Sequence, residues 1–309
     1  MRSVSVVIPA FNRSRLLARC LESLVHQTYK DFNVVIVDDG SSEDFGKILT
    51  TYSHLIDIKY LKIQNFGGPA KPRNIGISMS SSSYVAFLDS DDYWLPSKLQ
   101  QSVEALDSGF DLVYHDLIHI RNGKNDFEGL RRRPFRSRII KSGLVFDSLV
   151  ESGNFLPLSS VVIRSSLLNK RFFSEDKNVI SGEDYLAWIY LSFSRRLRLK
   201  RIGKPLGFYE IGFDGNISSL KNADRQYQVY SFIYKSCIQL KGCNLSLGDY
   251  LLYRYTLSLY KLRKHSVVID VIQGSQASLG KSLFKNFLCS LKTLFIYYCS
   301  ILKTLGHKE

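Results

Sequence analysis

This sequence predicts an α/β fold, a mostly parallel sheet flanked by helices, with a helical extension at the carboxyl end. Three observations predict it. Short apolar runs alternate with amphipathic stretches through residues 4–119; the apolar runs end abruptly in polar or acidic residues; and beyond Lys221 the apolar spacing becomes purely helical. The expected division is a catalytic, nucleotide-binding domain over residues 1–220 and a helical region over 221–309.

Val4–Ile8 is apolar apart from Ser5 and stops at Pro9-Ala10-Phe11-Asn12, as a strand buried on both faces would. Arg13–His26 places Leu16, Leu17, Cys20, Leu21 and Leu24 on one helical stripe, with Asn12 or Ser14 available as a cap. Phe32–Val37 is a second strand ending in Asp38-Asp39-Gly40-Ser41-Ser42. Strand, helix and strand with short connectors make a βαβ unit, hence parallel pairing with a right-handed crossover. Helical residues follow to about Thr51, and Ile56–Ile63 alternates as a third strand.

The next stretch, Asn65-Phe66-Gly67-Gly68-Pro69-Ala70-Lys71-Pro72-Arg73-Asn74, puts glycines and two cations ahead of a helix through Ile77. Such a loop can bring backbone N–H groups close to an anion, with Lys71 and Arg73 supplying charge, or it can be only a turn. Tyr84–Leu88 is a fourth strand. It delivers Asp89, Asp91 and Asp92 to its end, with Ser90 between. Adjacent carboxylates repel one another unless a cation sits among them, and a hard divalent ion holding a phosphate suits such a place; the alternative is a solvated turn capping the helix over Pro96–Leu106. Because three strands end in polar groups on one expected edge, where open α/β sheets bind ligands, the site reading is preferred.

Leu112–His119 and Ser159–Ile163 are further strand candidates. Arg131–Arg138 is a basic loop, and Arg195–Lys204, with six cations in ten residues, suits an edge strand with a wet face. In Ser181-Gly182-Glu183-Asp184 the acids open an apolar helix to about Phe193. Carboxylates there complement the helix dipole, and one of them could instead serve as a general base. Gly207–Asn216 reads as a glycine-punctuated loop able to close over a site. Helices are expected over 223–240, 247–264 and 277–305, the last with Lys281, Lys285, Lys292 and Lys303 on a narrow stripe against a wide apolar face. No uncharged run in it reaches the ~20 residues that a spanning helix needs, so a membrane-surface position is expected.

The net charge of +14 calls for a polyanionic neighbour: nucleic acid, an anionic membrane or a phosphorylated substrate. Nucleic acid is disfavoured because the cations are not interleaved with a recognisable binding motif. Five cysteines with no C-x-x-C pair indicate neither a disulfide framework nor a zinc site, and the apolar run at the amino end is too short for a signal peptide. A cytoplasmic protein, peripheral on the inner face of the cytoplasmic membrane, is the expectation; nothing in the sequence sets an oligomeric state.

Val-Ile-Pro-Ala-Phe-Asn at 7 to 12, Val-Asp-Asp-Gly-Ser-Ser at 37 to 42, Arg73-Asn74-Ile75-Gly76 and Leu-Asp-Ser-Asp-Asp at 88 to 92 together resemble the family-2 glycosyltransferases with the GT-A fold. More narrowly the chain looks like the enterobacterial enzymes that add a sugar during O-antigen repeat-unit assembly. The resemblance implies a UDP-sugar donor, Mn²⁺ or Mg²⁺, inversion at the anomeric carbon and a polyprenyl-diphosphate-linked saccharide as acceptor. It implies that Pro9, Ala10, Phe11 and Asn12 line the nucleobase side, with Asp39 accepting a hydrogen bond from the base. Gly68, Lys71 and Arg73 would meet the nucleotide, Asp89 and Ser90 the ribose side, and Asp91 with Asp89 the metal. Asp184 matches the family's base, with Glu183 as the other candidate. No Gln-x-x-Arg-Trp motif is present, which favours single-sugar addition. Glu210 and Gly212 stand near where many relatives carry a His or Arg. A metal-dependent nucleotidyltransferase is the alternative enzyme reading, and a basic nucleic-acid-binding protein the alternative from another class.

Overall fold

The computed structural model describes residues 3–121, 145–211, 228–233 and 236. Two compact units are present, Met1–Leu149 with Asn154–Lys221, and Val150–Gly153 with Asn222–Glu309. Nearly all described residues belong to the first. In the second, residues 228–233 are helical. The remainder of the expected carboxyl-terminal helices, the basic loop at 131–138 and the 212–216 part of the glycine-rich stretch lie outside the described residues. No helix among the described residues is long and apolar enough to cross a membrane.

The first unit is built on an eight-stranded sheet: β1 (Val4–Ala10), β2 (Phe32–Asp38), β3 (Ile58–Lys62), β4 (Tyr84–Phe87), β5 (Tyr93–Trp94), β6 (Leu112–Arg121), β7 (Val162–Arg164) and β8 (Leu199–Ile211). Its order is β3-β2-β1-β4-β7-β6-β8-β5. The β3-β2-β1-β4 half is parallel, as the βαβ spacing predicts. β7 runs antiparallel between β4 and β6, and β6 with β8 is parallel again. The helices are α1 (Ser14–Val25), α2 (Gly46–Ser53), α3 (Ala70–Met79), α4 (Lys98–Asp107), α5 (Val145–Ser152) and α6 (Glu183–Ser194).

Both faces of β1 are covered, which explains its unbroken apolar run. Val4, Val6 and Ile8 join Leu17, Leu21 and Leu24 of α1 and Leu99, Val103 and Leu106 of α4 in one buried cluster. Each such Val or Leu stabilises the fold by roughly 1.5–3 kcal/mol relative to exposure. Val7 faces the other way, onto α3. A Cβ at Gly76 would meet Val7 Cγ1 at 2.4 Å, so glycine is what lets α3 lie close to β1 and bring Arg73 over the sheet edge.

Three expectations are corrected. Neither Asn12 nor Ser14 caps α1 with its side chain; the Ser14 N–H donates to Glu43 Oε2 at 2.7 Å, so a carboxylate from the β2 loop takes the orphan donor. Residues 159–160 belong to a 3₁₀ turn over Leu158–Ser160, and the strand starts only at Val162, because Ser160 N and Oγ both bond back to the Pro157 carbonyl. Gly207–Ile211 is not loop but the end of β8, paired with β5 and β6. Glycine at 207 reflects close packing: a Cβ there would stand 3.0 Å from Trp94 Cδ1 and 3.1 Å from the Tyr93 carbonyl. The basic stretch is half strand, since β8 begins at Leu199. Up to β5's pairing at 207–208 it has β6 as its sheet neighbour.

Lys98 of α4 and His115 of β6 form a buried polar pair that the apolar patterning did not announce. Lys98, at the start of α4, is fully buried with its ammonium 3.4 Å from the Trp94 ring centroid. Among the described residues, neither Lys98 Nζ nor His115 Nε2 has a hydrogen-bond partner. Burial holds the Lys98 pKa well below its ordinary value and, with Lys98 beside it, the His115 pKa down to about 3. Lys98→Met is therefore expected to raise stability at neutral pH by on the order of 1 kcal/mol or more, read from urea melts. An unfolded-state histidine takes its proton near 6.5, so the unfolded chain binds more protons and stability falls as pH drops from there toward about 3. His115→Gln should remove up to about 1.4 kcal/mol per pH unit of that slope between about pH 6 and 5; an unchanged slope would contradict it.

Candidate active site

The carboxyl ends of β1, β2 and β4 meet in one corner, and local hydrogen bonds explain why these residue types stand there. Asp39 N donates to the Ala10 carbonyl at 2.8 Å, carrying the β1–β2 pairing past the strands. Asn12 sits in the left-handed region with φ +48°, a conformation asparagine tolerates, and turns the chain into α1. Its Oδ1 accepts from Ser42 N at 2.7 Å, Ser42 Oγ at 3.0 Å and Glu43 N at 3.3 Å, and its own N–H donates to Ser41 Oγ at 2.9 Å. Asn12 thus ties the β1 loop to the β2 loop. Pro9 and Ala10 are buried in the strand, while the Phe11 ring stands 46% exposed above them.

Asp39 is buried and organises the glycine loop. One carboxylate oxygen accepts from Phe66 N at 2.7 Å, the other from Gly67 N at 3.1 Å and Gly68 N at 3.3 Å, and Asn65 Nδ2 donates to its carbonyl at 2.7 Å. Three of the carboxylate's about four acceptor positions are used, leaving one. Lys177, which sequence reasoning passed over, reaches the same loop: it donates to the Phe66 carbonyl, and its ammonium lies 3.8 Å from the Phe66 ring centroid, with Lys71 5.6 Å away on that ring.

At the β4 end each acid has a different environment. Asp89 is paired with Arg73 at 2.6 Å, and its N–H donates to Ser159 Oγ at 3.1 Å. Asp91 is ion-paired with Arg13. Its pKa is raised by burial and by Asp89, against the pull of Arg13. Asp92 points inward: Oδ1 accepts from Glu210 N at 3.0 Å, and burial followed by Asp91 and Asp89 holds its pKa well up against the pull of the Ser159 hydroxyl. Ser90 is buried between them. Arg19, on the edge of the α1 stripe, donates to the Asp91 carbonyl at 2.5 Å and to Glu210 Oε2 at 3.0 Å, and lies over the Tyr93 ring at 4.6 Å. Glu210 of β8, which stands where relatives were expected to carry a cation, therefore has an arginine brought to it from α1.

The acids at the start of α6 divide. Glu183 is buried, takes Arg73 Nη1 on Oε1 at 2.6 Å and accepts Ser181 N on Oε2 at 2.8 Å. Ser181 holds φ +76° to make that turn, a strained conformation for a residue other than glycine. Asp184 has no such ion pair among the described residues; Oδ1 accepts from Tyr185 N at 2.7 Å and Oδ2 from Asn154 Nδ2 at 2.9 Å. Burial first, and then the neighbouring Glu183, raise its pKa to about 7, with Arg73 opposing. A carboxyl in that range can exchange a proton near neutrality. Tyr209 of β8 is close enough to both groups that Asp92, Asp89, Asp91 and Asp184, after burial, all push its pKa upward, so it stays a neutral phenol.

Arg73 joins the two acid groups. It is buried, stabilised in its charged form by Asp89 and Glu183 against burial, and positioned by α3, whose Asn74 is locked to the Phe173 backbone at 2.8 and 2.9 Å. The structure so brings together Asp89, Ser90, Asp91, Arg73, Glu183 and Asp184, and separately Asp39, Gly68 and Lys71 with the Phe66 loop. Sequence reasoning missed Arg19, Asn154, Ser159, Lys177 and Tyr209. Only Arg19, a cation bordering an apolar helical stripe, left a trace in the pattern. Arg73→Met, which leaves Glu183 buried without its counter-charge, is expected to cost about 3–5 kcal/mol in urea melts, and adding Glu183→Gln should recover part of it. Equal stability of the single and double variants would contradict the pairing.

The sequence profile described as Glycosyl transferase family 2 matches residues 5–171. An uncharacterized glycosyltransferase of Rickettsia bellii is 31% identical over 225 residues, covering 73% of this chain and 31% of that protein. The chain thus spans less than a third of the length of that protein and of its Rickettsia conorii and Rickettsia felis counterparts. The GalNAc(5)-diNAcBac-PP-undecaprenol beta-1,3-glucosyltransferase of Campylobacter jejuni is 29% identical over 242 residues, 74% of this chain and 72% of that one. Among solved structures, Staphylococcus aureus TarS in complex with UDP-GlcNAc superposes with a TM-score of 0.61 at 19% identity, over 92% of this chain and 83% of that chain. That likeness concerns the fold, which is the GT-A arrangement. With more than half of its length inside the family profile, from β1 past the end of β7, the chain belongs to glycosyl transferase family 2.

Proposed function

We propose that this protein is an inverting, metal-dependent glycosyltransferase. In this reading it adds a single hexose from a UDP-sugar to a polyprenyl-diphosphate-linked saccharide during O-antigen or related repeat-unit assembly. The observation that carries the reading is the division of labour among the carboxylates. Asp89 and Asp91 stand at the β4 end among guanidinium groups, whereas Asp184 makes no ion pair among the described residues and has its pKa raised to about 7. Family membership supports the transfer reaction. The names of the relatives, one acting on a PP-undecaprenol-linked glycan and one solved with UDP-GlcNAc, support the donor and acceptor classes.

The residues at the β4 end fit a hard divalent cation. Asp89 and Asp91 offer carboxylate oxygens at a strand end where Asp92 adds a third acid, and burial with Asp89 keeps the Asp91 pKa raised even beside Arg13, so a further cation there is favourable. No ready group of three ligands exists among the described residues. Mg²⁺ is commonly held by one or two carboxylates together with substrate phosphates, so two suffice. Mn²⁺ or Mg²⁺ held by Asp91 and Asp89 would act as a Lewis acid on the departing diphosphate.

The chain's own residues supply the rest. Phe11, with the loop ordered by Asp39, offers a face and backbone groups to the nucleobase side. Lys71 and Arg73 carry positive charge toward the nucleotide. Asp184, oriented by Asn154 and Tyr185 N, takes the proton from the acceptor hydroxyl as the new bond to the anomeric carbon forms and the bond to the diphosphate breaks on the opposite side. Glu183 holds Arg73 and leaves Asp184 as the base. The +14 charge suits peripheral contact with an anionic membrane carrying the acceptor.

Incubating the protein with UDP-sugars, Mn²⁺ and a sugar-diphosphate-lipid analogue is expected to yield a product longer by one sugar, with release of UDP. Asp184→Asn should lower kcat by about 10²–10⁴-fold while donor binding persists. Pyrophosphate release would point instead to nucleotidyl transfer. No transfer with any donor, or full activity in Asp91→Ala, would overturn the proposal.

A further inference from the structure

Three arginines surround the β4 end, and they are held differently. Arg73 lies 5% exposed between Asp89 and Glu183. Arg19 is anchored by the Asp91 carbonyl, Glu210 and the Tyr93 ring. Arg13 comes from the turn into α1, where φ is −142°, and its Nη1 meets Oδ2 of Asp91; its side chain is 24% exposed against 12% for the carboxylate. The more exposed side chain of this pair is thus the arginine. Its guanidinium meets a carboxylate that is read above as a metal ligand.

We propose that Arg13 is a resident counter-cation that competes with the divalent ion for Asp91, so that the donor-free protein keeps this carboxylate closed and takes up metal as Arg13 leaves it. The inference rests on the reading of Asp91 as a metal ligand. Two cations on one carboxylate oxygen repel each other, so a metal that takes Oδ2 displaces the guanidinium from its charge-assisted bond there. Bringing three acids to one strand end without a cation would leave their repulsion uncompensated; Arg13 supplies the missing charge at Asp91, and it opposes the upward push of burial on that group. Once drawn off, the guanidinium remains at the same corner, where a donor diphosphate brings negative charge suited to its fork of donors. Donor and metal should then enter cooperatively, the diphosphate favouring the displaced position of Arg13 and so opening Asp91.

Mn²⁺ titration of the full chain, with free Mn²⁺ read by electron paramagnetic resonance, tests this on the wild type, Arg13→Gln, Arg13→Lys and Asp91→Asn, each with and without UDP. Without UDP, Arg13→Gln is expected to bind Mn²⁺ roughly tenfold or more tightly than the wild type. Arg13→Lys, which keeps a charge but loses the fork, should shift affinity in the same direction by a smaller factor. UDP should narrow the gap, and Asp91→Asn should bind weakly throughout. If Arg13→Gln and Arg13→Lys bind Mn²⁺ no more tightly than the wild type while Asp91→Asn loses binding, the competition is wrong and the metal reading stands. If Asp91→Asn binds as the wild type does, or if no variant takes up Mn²⁺ even with UDP, the metal reading fails and this inference with it.

Discussion

A single buried guanidinium, that of Arg73, is what the arrangement of this site depends on. Five carboxylates, Asp89, Asp91, Asp92, Glu183 and Asp184, are brought to one region by β4 and α6, and most are buried or nearly so. Such a concentration of acid is unfavourable unless cations accompany it. Arg73 answers for one acid of each group, 2.6 Å from Asp89 and 2.6 Å from Glu183, and thereby fixes the distance between the strand end and the helix start. Its own place is set by a glycine that lets α3 approach β1 and by Asn74 bonded to the Phe173 backbone.

That pairing separates the two acids at the start of α6, because Glu183 is committed to the buried guanidinium. Asp184, one residue on, is held by hydrogen bonds from an amide side chain and a backbone N–H, and it feels the charge of Glu183 without sharing the arginine equally. Two adjacent acids with similar sequence surroundings thus acquire different partners, and it is Asp184 whose carboxyl burial and then Glu183 push upward. On the other flank Arg19 and Glu210 fix the backbone at Asp91, so the acids at the β4 end are held as a rigid set rather than as a solvated turn.

The fold was legible because periodicity reports burial directly. Val4–Ile8 and Phe32–Val37 are apolar on both faces, and the structure covers both faces of each. The motif residues at the three strand ends were legible because acids after an apolar run have few other uses. What could not be read were contacts across large sequence separations. Nothing local to Glu183 says that its partner is Arg73, 110 positions away, and nothing near Arg19 points to Glu210, 191 positions away. Gly207 was misread for the same reason: glycine signals either a turn or a close approach, and Trp94, which decides it, is remote in sequence. The choice between Asp184 and Glu183 stayed open in the sequence because it depends on which acid the arginine takes.

That choice is also where the account is most exposed to test. The most direct measurement is the pH dependence of kcat at saturating donor and acceptor, for the wild type and for Glu183→Gln. With Asp184 as base, the wild-type rate should rise with pH through about 7, where its carboxyl loses its proton. Removing the neighbouring negative charge should move that rising limb to lower pH. A limb that keeps its position in Glu183→Gln, or vanishes in that variant as it would if Glu183 itself took the proton, would contradict the assignment.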